Sequence, residues 1–216
     1  MSVDGRDYAS GNETIATLPG GRVGHRNRRL ESVLAGWLGQ APAVLFGDGA
    51  GSVVMSSCMA KDDELMGFIL RSESDTKLDL TLDNENVTFS QFKNQISPNF
   101  VKMNGKAIYQ FALRVVPEIT NQILDKVNLS IDQIDCLVLH QANQRIIDAV
   151  SERLNIPKSK VLSNIQNVGN TSAASIPLAI VDGIKSKRIK SPCKMLLIGF
   201  GAGLTWGASI IDCNIN

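Results

Sequence analysis

Two short apolar runs constrain the fold of this chain more than any other feature. Cys136–Leu139 and Met195–Phe200 contain no polar side chain, and such runs are typical of strands that are covered on both faces. Apolar residues recur at three-and-four spacing in Asn104–Val127 and again in residues 143–154, which predicts two amphipathic helices. Because the predicted strands and helices alternate along the chain, the sequence indicates an α/β fold.

Local signals refine these elements. Asn143 is a good N-cap for the helix over residues 143–154. Pro117 is expected to kink the longer helix, because proline has no backbone N–H and its ring crowds the preceding turn. A third helix is predicted over residues 171–187. Further strands are predicted at residues 43–46, 52–57, 65–71, 78–82, 161–165 and 205–212.

Charge and cysteine usage exclude several classes of function. The 22 Lys and Arg residues nearly cancel the 21 Asp and Glu residues, so we expect no nucleic-acid partner and no anionic membrane partner. The longest apolar run is far shorter than the roughly 20 residues that span a bilayer. Four scattered cysteines and two histidines encode neither a disulfide framework nor a metal site, which favours a reducing cytoplasm.

The basic residues divide the chain near residue 42. Residues 1–42 contain five Arg and no Lys, whereas residues 43–216 contain five Arg and twelve Lys. We therefore expect a separate N-terminal segment over 1–42, either flexible or aberrant, and one α/β domain over 43–216. The cluster GHRNRR in the first segment either contacts phosphate or is solvated surface.

Three polar or glycine-rich loops follow predicted strands: His140–Asn143, residues 167–172 and Gly199–Gly203. Ligands of open α/β sheets bind at the C-terminal ends of strands, so these loops are expected to converge on one cleft.

Two side chains in these loops can stabilise an oxyanion. His140 offers a ring N–H and Asn170 offers a side-chain amide N–H, and both donate without having to exchange a proton. The alternatives are structural: His140 closes a strand through a hydrogen bond, and Asn170 caps the helix that follows it. Capping and anion stabilisation are compatible at Asn170, because a cap lies at the positive end of the helix dipole.

Other candidates are backbone amides and cations. Residues 201–203 either present N–H groups to an oxyanion or permit a tight turn. Gly47–Gly51 has no GK[ST] ending, so it is interpreted as a turn and not as a phosphate loop. Lys106 and Arg145 each begin a predicted helix and either meet a phosphate or pantetheine or are solvated.

Four segments carry a resemblance to a known family: LFGDGAGSVV at 45–54, LHQANQRII at 139–147, NVGNTSAASIPLA at 167–179 and GFGAGLTWGA at 199–208. In order and wording they resemble β-ketoacyl-acyl carrier protein synthase III, a condensing enzyme of the thiolase-like superfamily. The resemblance covers about residues 43–216, the C-terminal half of that family's subunit. It implies half of a thiolase-like fold, with a mixed sheet covered by helices.

The resemblance also implies a function, a decarboxylating Claisen condensation that initiates fatty acid synthesis from acyl-coenzyme A and malonyl-acyl carrier protein. His140 and Asn170 match the His and Asn of the family's Cys-His-Asn triad, and the N–H of Ala202 matches an oxyanion donor. Arg145, Lys106 and Tyr109 match positions that contact the carrier protein or coenzyme A. No metal and no cofactor are implied beyond the coenzyme A thioester substrate.

The nucleophile is where the sequence departs from this family. The family's cysteine lies in the N-terminal half, but no cysteine here precedes Cys58, which follows the first motif and lacks the family's surrounding residues. No nucleophile is therefore identified. Cys136 and Cys193 are interpreted as packing thiols, and Cys213 lies at the end of the last predicted strand.

Residues 1–42 do not resemble the family's first half. This suggests a truncated or frame-disrupted gene, and it leaves two interpretations beside the active enzyme. The chain is either an inactive fragment or a split half that needs a separate N-terminal half, and self-association into a homo-oligomer is expected because half a subunit exposes apolar faces.

Overall fold

The computed structural model describes residues 46–53, 64–82 and 101–213. These residues form six strands and four α-helices. The strands are β1 Glu64–Ser72, β2 Leu80–Leu82, β3 Val101–Met103, β4 Cys136–Leu139, β5 Cys193–Gly201 and β6 Thr205–Cys213. The helices are α1 Gly105–Val127, α2 Gln144–Arg153, α3 Ile165–Val168 and α4 Ser175–Lys185.

A mixed four-stranded sheet organises the fold, with the strand order β1-β6-β5-β4. The strands β4 and β5 run parallel, with Leu137 opposite Leu196, whereas β6 is antiparallel to both β5 and β1. The strands β2 and β3 form a separate antiparallel pair. The expectation of an α/β fold with a mixed sheet covered by helices is confirmed.

Strand β4 is buried along its whole length, as its apolar sequence predicts. Because successive side chains point to opposite faces, Leu137 and Leu139 join the cluster that contains α1 and α2. Cys136 and Val138 join the cluster on the other face, which contains residues of α4. Because its side chains alternate between the two faces, this one short strand contributes to two core clusters.

Helix α1 has the bounds that its periodicity predicts. Asn104 caps it, since its side chain accepts a hydrogen bond from the N–H of Ala107, and Asn128 ends it in the left-handed conformation with φ 55°. The helix continues through Pro117. Its buried face consists of Ile108, Phe111, Ala112, Val115, Val116, Ile119, Thr120, Ile123 and Leu124.

The strand predicted over residues 161–165 is wrong. Val161 makes one isolated bridge to Leu137, and α3 begins at Ile165. The reason is a side chain: the amide of Gln141 contacts the carbonyl of Leu162 at 3.4 Å and the N–H of Asn164 at 3.3 Å. These backbone groups are therefore bonded without a neighbouring strand.

The predicted helix over residues 171–187 begins late. A 3₁₀ turn spans Ser172–Ala174, where Ser172 has a positive φ of 53°, and α4 starts at Ser175. Strand β3 was not predicted, and β2 is shorter than expected. The predicted strands at 43–46 and 52–57 lie largely outside the described residues, and their described parts, Phe46 and residues 52–53, are not strand.

Residues 1–42 and Cys58 also lie outside the described part of the chain. Within residues 46–53, 64–82 and 101–213, no helix combines the length and the apolar character that crossing a membrane requires.

Candidate functional site

One large open groove lies at the C-terminal ends of β4 and β5, with a volume of about 1350 Å³. His140, Asn170 and Ala202 all line it, so the structure brings the three loops together. The loops of His140 and Ala202 follow β4 and β5, as predicted, whereas the Asn170 loop follows α3 and not a strand. Most of the lining is apolar, and Arg71 is the one charged residue among the described residues that form it.

His140 lies immediately after β4. Its backbone N–H donates to the carbonyl of Ile198 at 2.8 Å, which extends the pairing with β5 by one residue. The ring packs edge-on against Phe200, with 5.3 Å between centroids. Nδ1 lies 2.7 Å from the hydroxyl oxygen of Ser175, at the start of α4.

Burial decides the charge of this histidine. It lowers the pKa of His140 from 6.5 to about 4, because a partly enclosed ring loses the water that stabilises its cation. At neutral pH the ring is therefore uncharged and carries a single proton. A neutral imidazole can donate one hydrogen bond to an oxygen in the groove.

Asn170 is oriented by its own loop. Its side-chain oxygen accepts a hydrogen bond from the N–H of Ser172 at 2.9 Å, and its main-chain carbonyl accepts from the N–H of Gly47 at 2.8 Å. Asn170 is therefore not the N-cap of α4, because the N–H that its side chain binds belongs to the 3₁₀ turn that precedes this helix. With its oxygen held in this way, the amide NH₂ is left as the donor that Asn170 can present to a ligand.

The segment Gly47–Gly51 packs on this loop, and it is not the turn that the sequence predicts. A Cβ on Gly47 would collide with the carbonyl oxygen of Val168, and one on Gly49 would meet Thr171. A Cβ on Gly51 would meet Pro177. The glycines therefore allow the backbone to approach the Asn170 loop closely.

Sequence reasoning missed Gln141, which is fully buried beside the histidine. Its NH₂ group donates to the carbonyls of Leu139 at 2.6 Å and Leu162 at 3.4 Å, and its oxygen accepts from the N–H of Asn164 at 3.3 Å. Gln141 thus joins the end of β4 to the segment that leads to Asn170. A polar amide two residues after the end of a wholly apolar strand was the available signal.

Ala202 lies at the exposed tip between β5 and β6. Its carbonyl accepts from the hydroxyl of Thr205 at 3.0 Å, and the next residue, Gly203, has a positive φ of 136° that favours glycine. The loop is a tight turn that also lines the groove.

None of the three predicted binding residues lines the groove. The guanidinium of Arg145, in the first turn of α2, stands 5.9 Å from the ring centroid of Tyr109 on α1. Lys106 is exposed in the first turn of α1. Ile108 and Ala142, which are two residues after Lys106 and three residues before Arg145 in the chain, do line the groove.

No cysteine lines the groove among the described residues. Cys136 and Cys193 are buried in the sheet, 4% and 1% exposed, which fits packing thiols. Within the same residues no group of His, Cys, Asp and Glu could hold a metal ion.

Comparison with known proteins shows the family of this chain. Residues 124–213 match the family described as 3-oxoacyl-[acyl-carrier-protein (ACP)] synthase III C terminal. The β-ketoacyl-[acyl-carrier-protein] synthase III of Trichormus variabilis is 46% identical over 185 residues, covering 82% of this chain and 54% of that protein. The chain belongs to the synthase III family.

Solved synthase III structures agree with this assignment. The enzyme from Pseudomonas aeruginosa superposes with a TM-score of 0.62 at 36% identity, covering 69% of this chain and 44% of that one. The enzyme from Aquifex aeolicus gives 0.63 at 34% identity, covering 73% and 46%. The fold is the C-terminal half of a thiolase-like subunit, and the chain spans about half the length of the synthase III relatives it matches.

Proposed function

We propose that this chain supplies the decarboxylating side of a β-ketoacyl-acyl carrier protein synthase III active site. The substrates are acyl-coenzyme A and malonyl-acyl carrier protein. The observation that carries the proposal is that a neutral histidine and an oriented asparagine, each with a donor to spare, line one groove in a synthase III fold.

The chemical task of the pair is to stabilise negative charge. When malonyl thioester loses carbon dioxide, the electron pair of the broken C–C bond moves into the thioester and places charge on its oxygen. Hydrogen bonds from the ring N–H of His140 and the amide N–H of Asn170 favour that enolate over the ground state. Neither residue gains or loses a proton in this step.

The condensation itself needs an acylated thiol. Acyl transfer from coenzyme A forms a cysteine thioester and releases the coenzyme thiol, after which the enolate carbon attacks the thioester carbonyl. The resulting tetrahedral oxyanion accepts from the N–H of Ala202, and its collapse expels the cysteine thiolate and leaves the ketoacyl product on the carrier. We assign the cysteine to a complementary N-terminal half.

The apolar lining and the size of the groove support two points: the ligand is a thioester, and a second half of the subunit covers the groove. Its lining is mainly apolar, which suits acyl and pantetheine chains, and its volume exceeds the range of about 300–1000 Å³ that is usual for ligand pockets. Phe68 and Leu70, on the groove side of edge strand β1, are 54% and 70% exposed. A second half, or a second copy of the chain, would bury them.

Arg145 and Lys106, each near a groove-lining residue in the chain, are proposed to contact the phosphates of coenzyme A or the acidic surface of the carrier protein. The ring of Tyr109 holds the Arg145 guanidinium by a cation–π contact, which limits its motion before binding.

A decarboxylation assay tests the proposal on the chain as it exists. Release of labelled carbon dioxide from malonyl-acyl carrier protein is measured for the wild type, His140→Ala, Asn170→Ala and Lys190→Ala. Lys190 is exposed between α4 and β5, at the strand end away from the groove. We expect slow release by the wild type and by Lys190→Ala, and at least tenfold slower release by the other two variants.

A second assay separates the split half from the inactive fragment. The chain is incubated with acetyl-coenzyme A and malonyl-acyl carrier protein, with and without the separately expressed N-terminal half of the Trichormus variabilis relative, and ketoacyl product is measured. Product only in the mixture supports the split half. Product from the chain alone would contradict the assignment of the nucleophile to another half. In the decarboxylation assay, equal carbon dioxide release by the wild type and the three variants would reject the roles of His140 and Asn170.

A further inference from the structure

We propose that Ser175 is a positioning residue, whose hydroxyl donates to Nδ1 of His140 and thereby keeps the ring proton on Nε2. The inference rests on the proposed function, since it explains how His140 becomes a donor toward the groove. It adds to the site a residue to which the sequence analysis assigns no chemical role.

The geometry around the hydroxyl supports this direction of donation. Ser175 is 1% exposed and begins α4, and its oxygen lies 2.7 Å from Nδ1 of His140. The same oxygen accepts the backbone N–H of Gln141 at 3.2 Å. Among the described residues, these are the hydrogen-bond partners of the Ser175 hydroxyl.

The proton of a buried hydroxyl needs an acceptor. The N–H of Gln141 cannot serve, because it is itself a donor, so Nδ1 is the acceptor that the surrounding residues offer. If Nδ1 carried the ring proton instead, the hydroxyl oxygen would accept twice and its own proton would be left buried without a partner. That arrangement costs about 1–3 kcal/mol for the lost hydrogen bond.

The state of the ring completes the argument. Because burial keeps the pKa of His140 near 4, the neutral ring holds one proton at neutral pH, and an accepting Nδ1 places that proton on Nε2. Nε2 is then the ring atom that can donate to a thioester oxygen in the groove. Through Gln141, the hydroxyl also links the end of β4 to the start of α4.

The protonation state can be read without any assay of activity. The chain has two histidines, so ¹⁵N-labelled histidine gives two sets of ring signals, and His140→Gln assigns them. At neutral pH we expect the His140 spectrum of a pyridine-type Nδ1 and a protonated Nε2. A protonated Nδ1 in the wild-type protein would overturn the proposal, whatever any variant does.

A matched pair of serines tests the functional consequence. Ser151 is equally enclosed, 3% exposed, but its hydroxyl donates to the carbonyl of Ile147 within α2. We expect Ser175→Ala to slow carbon dioxide release at least tenfold, Ser151→Ala to change it less than twofold, and Ser175→Thr to recover most of the rate.

The outcomes distinguish this inference from the proposed function. Equal loss in Ser175→Ala and Ser151→Ala would contradict a positioning role, because a general loss of packing affects both. If the wild type releases no carbon dioxide that depends on His140, the proposed function fails, while the ring spectra still decide whether Ser175 sets the tautomer.

Discussion

Arg153 on α2 donates from Nη1 to the main-chain carbonyl of Leu113 on α1 at 2.6 Å. That carbonyl lies four residues before Pro117, which has no N–H to offer it. The side chain of one helix therefore satisfies the backbone position that proline leaves open in the other. The contact also joins the two helices that pack on the same face of β4.

Replacing Arg153 by methionine should lower the free energy of unfolding by about 1 kcal/mol, because an exposed carbonyl partly regains water when the guanidinium is removed. Urea unfolding of the purified chain measures the change. The matched variant is Pro117→Ala, which supplies the missing N–H. In that background the cost of Arg153→Met should fall by at least half, and strict additivity of the two substitutions would contradict the pairing.

The sequence predicted the parts of the fold that burial dictates. The apolar run Cys136–Leu139 and the periodicity of Asn104–Val127 have a single low-energy interpretation, and the structure confirms both elements. The wrongly predicted strand at 161–165 and the late start of α4 occur where side chains bond to the backbone. Periodicity does not report such bonds, so the strand predicted at 161–165 ignored the amide of Gln141.

The candidate site divides in the same way. The positions of His140 and Ala202 follow from topology, since loops at the ends of β4 and β5 must share an edge of the sheet. Asn170 lines the same groove although no strand precedes its loop. Orientation does not follow from topology. The contacts of Ser175 and Gln141 arise between residues far apart in the chain, and no spacing in the sequence reports them.

Gly47→Ala should destabilise the protein by about 2 kcal/mol, because the new Cβ would collide with the carbonyl oxygen of Val168 and push the Asn170 loop outward. Gly105→Ala is the control, since a Cβ at this first position of α1 meets no atom within 4 Å. Its effect should be neutral or stabilising by about 0.5 kcal/mol. Thermal unfolding compares the two, and equal melting temperatures would show that the glycine segment does not pack on the loop.

Gln141→Leu should cost about 3 kcal/mol, since it removes the partner of three main-chain groups on Leu139, Leu162 and Asn164. Gln166→Leu, at an exposed position of α3, should stay within about 0.5 kcal/mol of the wild type. Urea unfolding measures both. If Gln141→Leu lowers the free energy of unfolding no more than Gln166→Leu does, water replaces the amide of Gln141 without a loss of stability.

The stability of the protein should fall with acidification through His140. Below pH 6.5 the unfolded chain protonates this ring, whereas the folded ring stays neutral until about pH 4, so protons favour the unfolded state. The contribution is complete above pH 6.5, and about 3 kcal/mol of it is lost by pH 4. The test compares urea unfolding of the wild type and His140→Gln across this range, so that titrating carboxylates cancel. Parallel pH profiles of the two proteins would mean that the folded histidine titrates normally and is charged when the unfolded one is.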